Sequence, residues 1–279
     1  MFKDVGIIKI KNFINKNIQE DLNEEIDDLL NRYLINGITR TSTWINNNLC
    51  EINDPIVNIN KVNLLEIIFK TYQEIIKISP DSYTLSSIRL MMEKKNSHPI
   101  TWHTDQRPGI IRAIIYLKGG EINNGNLNFI KGSHNYKHAK DLHIINPLEL
   151  SLEDKIITMD TQEGDLILFD INGFHKKNTV RKERRIIFME FHDGKPSKEI
   201  GKVILDNSKF TKDIRKNLDF LFFNDNINHK DYKDLVYQTH LPPNTPLKIF
   251  YYYFKSFCKL IEIRIRNKIK SAANRLKKK

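Results

Sequence analysis

Ile100-Thr101-Trp102-His103-Thr104-Asp105 is the stretch on which the reading of this chain turns. The apolar and β-branched residues leading into His103 make 100–103 strand-like, and Asp105 follows two positions on. Strand residues two apart point to one face, so an imidazole and a carboxylate share a surface. Far downstream, Gly164-Asp165-Leu166-Ile167-Leu168-Phe169 forms a second strand-like run that ends shortly before His175. Two imidazoles and one carboxylate, with coordination positions left open, are the ligand set of non-haem Fe(II) oxygenases. His103, Asp105 and His175 are therefore the expected metal ligands and catalytic centre. The remaining histidines have ordinary readings. His134, in Lys131-Gly132-Ser133-His134, reads as fixing a turn, and His192 alternates with Glu190 on the last strand.

Working outward, 5–10 alternates well enough for a short strand, and Asn15 or Asn17 is placed to cap a helix over 18–33. Residues 36–58 are polar, with Asn46-Asn47-Asn48 and Asp54-Pro55, and read as a long loop. A second helix runs to about residue 78, closed by Ser79-Pro80. Strand patterns then follow at 84–93, 100–103, 110–117, 127–130, 156–159, 165–169 and 185–192, with Gly- and Asn-rich turns between them. Helices followed by many short strands indicate an α+β chain with a sandwich or barrel of strands. The pattern predicts a core over 1–193, a helical and irregular segment over 194–246 with aromatics at Phe220, Phe222 and Phe223, and a tail over 247–279.

The charge is unevenly placed. The chain carries +11 overall, but 247–279 holds 11 Lys or Arg against the single acid Glu262. The body is nearly neutral, which argues against a nucleic-acid-binding core. Cys50 and Cys258 alone make no disulfide framework and suit a reducing compartment. The N-terminus has no apolar signal region, and no run is apolar enough to span a bilayer. A cytoplasmic location is expected.

Three blocks stand in order. They are His98-Pro99-Ile100-Thr101-Trp102-His103-Thr104-Asp105, then Asn124-Gly125-Asn126-Leu127-Asn128-Phe129-Ile130-Lys131-Gly132-Ser133-His134, then Gly164 to Asp170 leading to His175, Asn178, Arg184 and Arg185. Together they resemble the phytanoyl-CoA dioxygenase family of Fe(II)/2-oxoglutarate-dependent oxygenases. Asn126 and Lys131 stand where that family usually has Pro, and Lys177 where it usually has Ser. The resemblance implies a double-stranded β-helix (jelly roll, cupin-like) core with N-terminal buttressing helices. It implies Fe(II) held by His103, Asp105 and His175, with 2-oxoglutarate and O2 as co-substrates. It also implies an arginine that binds the far carboxylate of 2-oxoglutarate, for which a planar guanidinium is suited. Arg184 and Arg185 are adjacent, so only one faces the barrel. The family pattern favours Arg184, Arg185 stays open, and Asn178 is a further cofactor contact. Related halogenases lack the carboxylate ligand, so Asp105 favours hydroxylation of an unactivated C–H, with release of succinate and CO2.

In the tail, Phe250, Phe254, Phe257, Cys258, Ile261, Ile265, Ile269, Ala272 and Leu276 fall on one helical face, and Lys255, Lys259, Arg266, Lys270 and Lys277 on the other. Such a basic amphipathic helix suits an anionic membrane surface, on the inner face of the membrane. Packing on its own domain or on a partner is the competing reading, and the apolar stripe argues against nucleic acid. The expected substrate is thus a small molecule, a lipid-linked compound or an envelope glycan. The competing functions are a non-catalytic jelly-roll metal- or ligand-binding protein and a nucleic-acid-directed 2-oxoglutarate demethylase.

Overall fold

A computed structural model of the chain describes residues 2–35, 49–53, 64–79, 83–95, 100–105, 107–136 and 145–193, together with positions 254, 258, 261, 262 and 265. The segment expected over 194–246 lies outside the described residues, as does most of the tail. A short helix α1 (Phe2–Val5) leads into β1 (Ile7–Ile10). Helix α2 (Lys16–Ile35) starts at Asn15, whose side-chain oxygen accepts a hydrogen bond from the Ile18 amide at 2.9 Å. Then come β2 (Leu49–Asn53), α3 (Leu64–Ile78), β3 (Tyr83–Glu93), β4 (Ile100–His103), β5 (Ile110–Lys118) and β6 (Leu127–Ile130). The described core ends with α4 (Pro147–Leu150), β7 (Ile156–Thr158), β8 (Leu166–Asp170), β9 (His175–Lys177) and β10 (Arg184–Asp193).

The strands form two antiparallel sheets. One has six strands in the order β1-β8-β5-β10-β3-β2, and the other has four in the order β4-β9-β6-β7. Alternation along the central strands builds a core on each side of the larger sheet. On β5, Ile110, Ile114 and Tyr116 pack with Leu127, Phe129, Ile167, Phe169, Ile186 and Phe188 between the sheets. The intervening Ile111, Ala113, Ile115 and Leu117 face the other way, onto Leu22 and Ile26 of α2 and Leu64, Ile67, Ile68 and Ile75 of α3. The helices therefore cover the outer face of the large sheet, and the space between the sheets is left for the site.

Two strands differ from the sequence reading. The region read as one long loop contains β2, whose Leu49 to Asn53 pair with Glu93 to Arg89 of β3. An edge strand takes its hydrogen-bonding pattern from its neighbour's backbone, so weak internal alternation suffices. The second is β9, which pairs with both β4 and β6 although two of its three residues are lysines. In the tail, Phe254, Cys258, Ile261, Glu262 and Ile265 are helical. Phe254, Cys258, Ile261 and Ile265 are exposed. Among the described residues, no helix is long and apolar enough to cross a membrane.

Candidate active site

His103 ends β4, and His175 begins β9 directly opposite it in register. Asp105 lies just beyond β4, where its backbone amide donates to the Ile171 carbonyl at 3.1 Å. One ligand atom from each of His103, Asp105 and His175 lies within 4.8 Å of the others. Each histidine is oriented by a carbonyl two residues before it. Nδ1 of His103 lies 2.8 Å from the Thr101 oxygen, and Nδ1 of His175 lies 2.9 Å from the Gly173 oxygen. A carbonyl only accepts, so the proton sits on Nδ1 and the Nε2 lone pair is left for a ligand. The Nε2 of His175 is buried and has no hydrogen-bond partner. Ser133 supports this arrangement: its hydroxyl accepts from the Phe174 amide at 2.8 Å, tying the Gly132-Ser133 turn to the start of β9.

The electrostatics suit a cation. Burial alone would raise the Asp105 carboxyl, but the neighbouring Arg112 guanidinium outweighs it and holds it well below the usual range. Arg112 Nη2 lies 2.6 Å from Asp105 Oδ2. Burial, then the neighbouring His103, push His175 down to about 3, against a partial lift from Asp105. His175 is thus a neutral imidazole at ordinary pH, the form that binds metal. The orphaned Nε2, the ionised carboxylate and the nitrogen-oxygen donor set fit a divalent transition metal.

A second charged group lies further along the same strands. His175 and Lys177 alternate on β9, so both face the space between the sheets. There Lys177 Nζ and Arg184 Nη1 each donate to a different oxygen of Glu93, and all three side chains are buried. Burial would raise the Glu93 carboxyl, yet Arg184 and Lys177 bring it down to about 2. The buried Nε of Arg184 has no hydrogen-bond partner. The guanidinium also lies over the Tyr116 ring, 5.3 Å from its centroid. Gly125, at φ 71°, backs the arginine closely, since a Cβ there would stand 2.6 Å from Arg184 Cδ.

Of the two adjacent arginines, Arg184 faces the interior. Arg185 faces outward to α2, with Nη2 2.7 Å from Asp27 Oδ1 and Nε 2.7 Å from Glu183 Oε1. Its guanidinium therefore points away from the space between the sheets. Asn178 donates to Asn126 Oδ1 at 2.9 Å and so braces the hairpin before β6. His134 Nε2 lies 3.0 Å from the Lys3 carbonyl, a turn-fixing position. Glu93 and Arg112 went unnoticed in the sequence, and Glu190 was noted only as alternating with His192. Their signal was charge at inward-facing positions of otherwise apolar strands.

No family model matches this sequence, and no curated protein sequence does. Solved structures do. AviO1 from Streptomyces viridochromogenes Tue57 is 14% identical at a TM-score of 0.54, over 70% of this chain and 94% of that one. The non-heme alpha-ketoglutarate-dependent carbocyclase SnoK from nogalamycin biosynthesis is 12% identical at 0.55, over 69% and 81%. HygX from Streptomyces hygroscopicus, solved with nickel and 2-oxoglutarate bound, is 11% identical at 0.51, over 69% and 84%. The chain thus has the jelly-roll fold found in non-heme iron/2-oxoglutarate-dependent enzymes.

Proposed function

We propose that this chain is an Fe(II)/2-oxoglutarate-dependent oxygenase of the phytanoyl-CoA dioxygenase type that hydroxylates an unactivated C–H. The observation that carries this reading is the pair of carbonyl-oriented histidines beside an ionised carboxylate, with a second cationic site further along β9. His103, Asp105 and His175 would hold Fe(II). Arg184 and Lys177 would hold the far carboxylate of 2-oxoglutarate. When bound, iron and 2-oxoglutarate supply the oxidising power for C–H chemistry.

The chain's own residues do the rest. Thr101 and Gly173 fix the two imidazole rings, and Arg112 keeps Asp105 ionised and oriented. Glu93 keeps Lys177 and Arg184 charged inside the fold. Phe169, Phe188, Ile114 and Ile167 form an apolar wall between the sheets. Neighbours of the same fold include a carbocyclase, so fold alone does not choose the reaction. The carboxylate at Asp105 leaves no ligand position for a halide, which favours hydroxylation.

Anaerobic calorimetry tests this reading. 2-Oxoglutarate should bind the Mn(II)-loaded protein and not the metal-free protein. Aerobic incubation with Fe(II) should then release succinate. Binding that ignores the metal, with no succinate from any metabolite pool, would support a non-catalytic jelly roll instead.

The tail extends the proposal. The exposed helical positions Phe254, Cys258, Ile261 and Ile265 fall on the apolar stripe, with basic residues on the opposite face of the stretch. This arrangement supports docking on an anionic lipid surface, from which a lipid-linked substrate would be reached.

A further inference from the structure

The large sheet carries an irregularity close to the metal ligands. Pairing between β3 and β10 shifts after Glu190: Glu190 stands opposite Ser87, and Phe191 opposite Leu85. β3 thus has an extra residue, Ser86, in a bulge of the kind that re-aims a side chain beside a site. The Ser86 hydroxyl donates to the Glu190 carbonyl at 3.0 Å. Ser87 has no such bond. It shares the face of β3 that carries Met91 into the space between the sheets, while Ile88 and Leu90 face the helices. Its Oγ is buried and, among the described residues, has no hydrogen-bond partner.

On the other side of Glu190, Arg112 of β5 is its direct cross-strand partner. Arg112 Nη2 lies 2.5 Å from Glu190 Oε1 and 2.6 Å from Asp105 Oδ2. Arg89 and Arg107 also approach Glu190 Oε1, so this carboxylate is held in place. The Arg112 guanidinium is 5.7 Å from the centroid of the Phe169 ring, which in turn packs edge-on against His175 at 5.1 Å. The Nε of Arg112 is buried and, among the described residues, has no hydrogen-bond partner. β5, β10 and β3 are neighbours, so Arg112, Glu190 and Ser87 form one row on the inner face of the sheet. Directly facing strand positions stand about 5 Å apart, which anchors the two open groups about 10 Å apart.

A buried hydroxyl or N–H without a partner is costly, and folded interiors leave few of them. Two in one row, at a bulge and beside the metal ligands, mark a place where a ligand completes the bonding. Chemistry narrows that ligand. Arg112 Nε only donates, and a serine hydroxyl donates or accepts. The Glu190 and Asp105 carboxylates both touch Arg112, so an anionic group at Nε would meet like charge at short range. An alcohol oxygen accepts from Nε and brings no charge. The separation of the two anchors calls for polar groups on more than one carbon.

We propose that Ser87 and Arg112 bind hydroxyl groups of the primary substrate, so that the part of the molecule presented to the metal is an uncharged polyol or sugar unit. This rests on the oxygenase reading above, which supplies the metal beside the row. The place is separate from the Arg184–Lys177 site. Arg184 and Glu190 are six residues apart on β10, roughly 20 Å along the strand.

The test uses the full chain with saturating Mn(II) and 2-oxoglutarate. Methyl glucopyranoside and sorbitol are the neutral probes, and glucuronate and methylphosphonate the anionic ones. Bound Mn(II) speeds the relaxation of nearby protons, so proton relaxation of each probe reads both its affinity and its nearness to the metal. At least one neutral probe should relax faster with Mn(II) than with diamagnetic Zn(II), and should bind more tightly than either anion. Ser87→Ala should weaken that binding about fivefold, and Arg112→Lys, which removes the Nε donor, about tenfold. Electron paramagnetic resonance checks that Mn(II) is bound in each variant. Stability separates a binding role from a structural one. Ser87→Ala removes a buried hydroxyl that has no partner in the fold, so its thermal midpoint without sugar should equal or exceed that of the wild type.

The proposal is overturned if no neutral probe binds near the metal, if an anionic probe binds more tightly, if Ser87→Ala binds as the wild type does, or if Ser87→Ala lowers the thermal midpoint. A wild type that binds neither Mn(II) nor 2-oxoglutarate, yet binds a neutral probe in a Ser87-dependent way, would sink the oxygenase reading and leave the hydroxyl site standing. Binding of Mn(II) and 2-oxoglutarate without any neutral probe would do the reverse.

Discussion

His103 and His175 are direct cross-strand partners, and their ring centroids lie 4.3 Å apart. A one-residue slip of β9 would turn His175 to the other face. The centre is therefore a property of strand register as much as of the three ligands. His103→Ala, Asp105→Ala and His175→Ala should each reduce Mn(II) affinity at least about a hundredfold, since removing a ligand exceeds the effect of its supporting contacts. Titration followed by electron paramagnetic resonance reads this directly. Wild-type affinity in any of the three would refute the ligand assignment.

Arg112 touches both Asp105 and Glu190, at 2.6 and 2.5 Å. Arg112→Met removes the cation that keeps Asp105 ionised and aimed. Metal affinity should fall about 10- to 100-fold, the usual effect of losing an outer-shell partner. Arg107→Met, whose closest approach to Asp105 is 3.9 Å, should leave metal affinity much less affected.

Arg184 and Arg185 should separate cleanly. Arg184→Met should raise the dissociation constant for 2-oxoglutarate about 10- to 100-fold with metal binding retained, from the loss of a charged hydrogen-bond donor. Gly125→Ala should do the same more mildly by pushing on Arg184 Cδ. Arg185→Met should leave 2-oxoglutarate binding alone. Its partners Asp27 and Glu183 are largely or partly exposed, so the stability loss should be about 1 kcal/mol or less. Equal effects of Arg184→Met and Arg185→Met on 2-oxoglutarate would rule out this division.

Glu93 predicts an acid sensitivity. Its carboxyl is depressed in the folded protein to about 2 from an ordinary value of 4.5. A depressed carboxyl stabilises the fold fully above its ordinary value, and that contribution fades as pH falls through 4.5 toward 2. The shift corresponds to about 3 kcal/mol. Urea denaturation from pH 7 to pH 3 should show the wild type losing stability across this window. Glu93→Gln should be less stable at pH 7 by about 3–5 kcal/mol, because Lys177 and Arg184 then lack a buried counter-charge. A variant as stable as the wild type at pH 7 would remove Glu93 from its structural role.

The tail is tested by flotation. Full-length protein should float with vesicles containing phosphatidylserine at low salt and not with neutral vesicles. Deleting 247–279 should abolish flotation without changing 2-oxoglutarate binding. Flotation that survives the deletion would contradict the membrane reading.

Most of the core was legible because its strands are short, largely apolar runs bounded by turn residues. Residues 110–117 and 185–192 are apolar at both odd and even positions, and the structure buries both faces. Asn15 was visible as a helix cap for the same local reason. What stayed hidden depended on partners far away in sequence. His175-Lys176-Lys177 does not read as a strand, because nothing nearby shows that Glu93 will bury Lys177. Nor does 49–53 stand out in its polar surroundings, because β3 supplies its pairing. Arg184 and Arg185 are equivalent until register assigns one to each face. Glu190 was read only through its alternation with His192, whereas it is buried against three arginines.

His175 and Lys177 share a strand of three residues, with one residue between them. Their separation along the backbone is set by strand rise, roughly 7 Å for two residues. It does not depend on the side chains around the cavity. On the proposed reading, that spacing would act as a ruler for a dicarboxylate reaching from metal to cation. The length of co-substrate such a site would accept is then set by β9 and would change only if β9 gained or lost a residue.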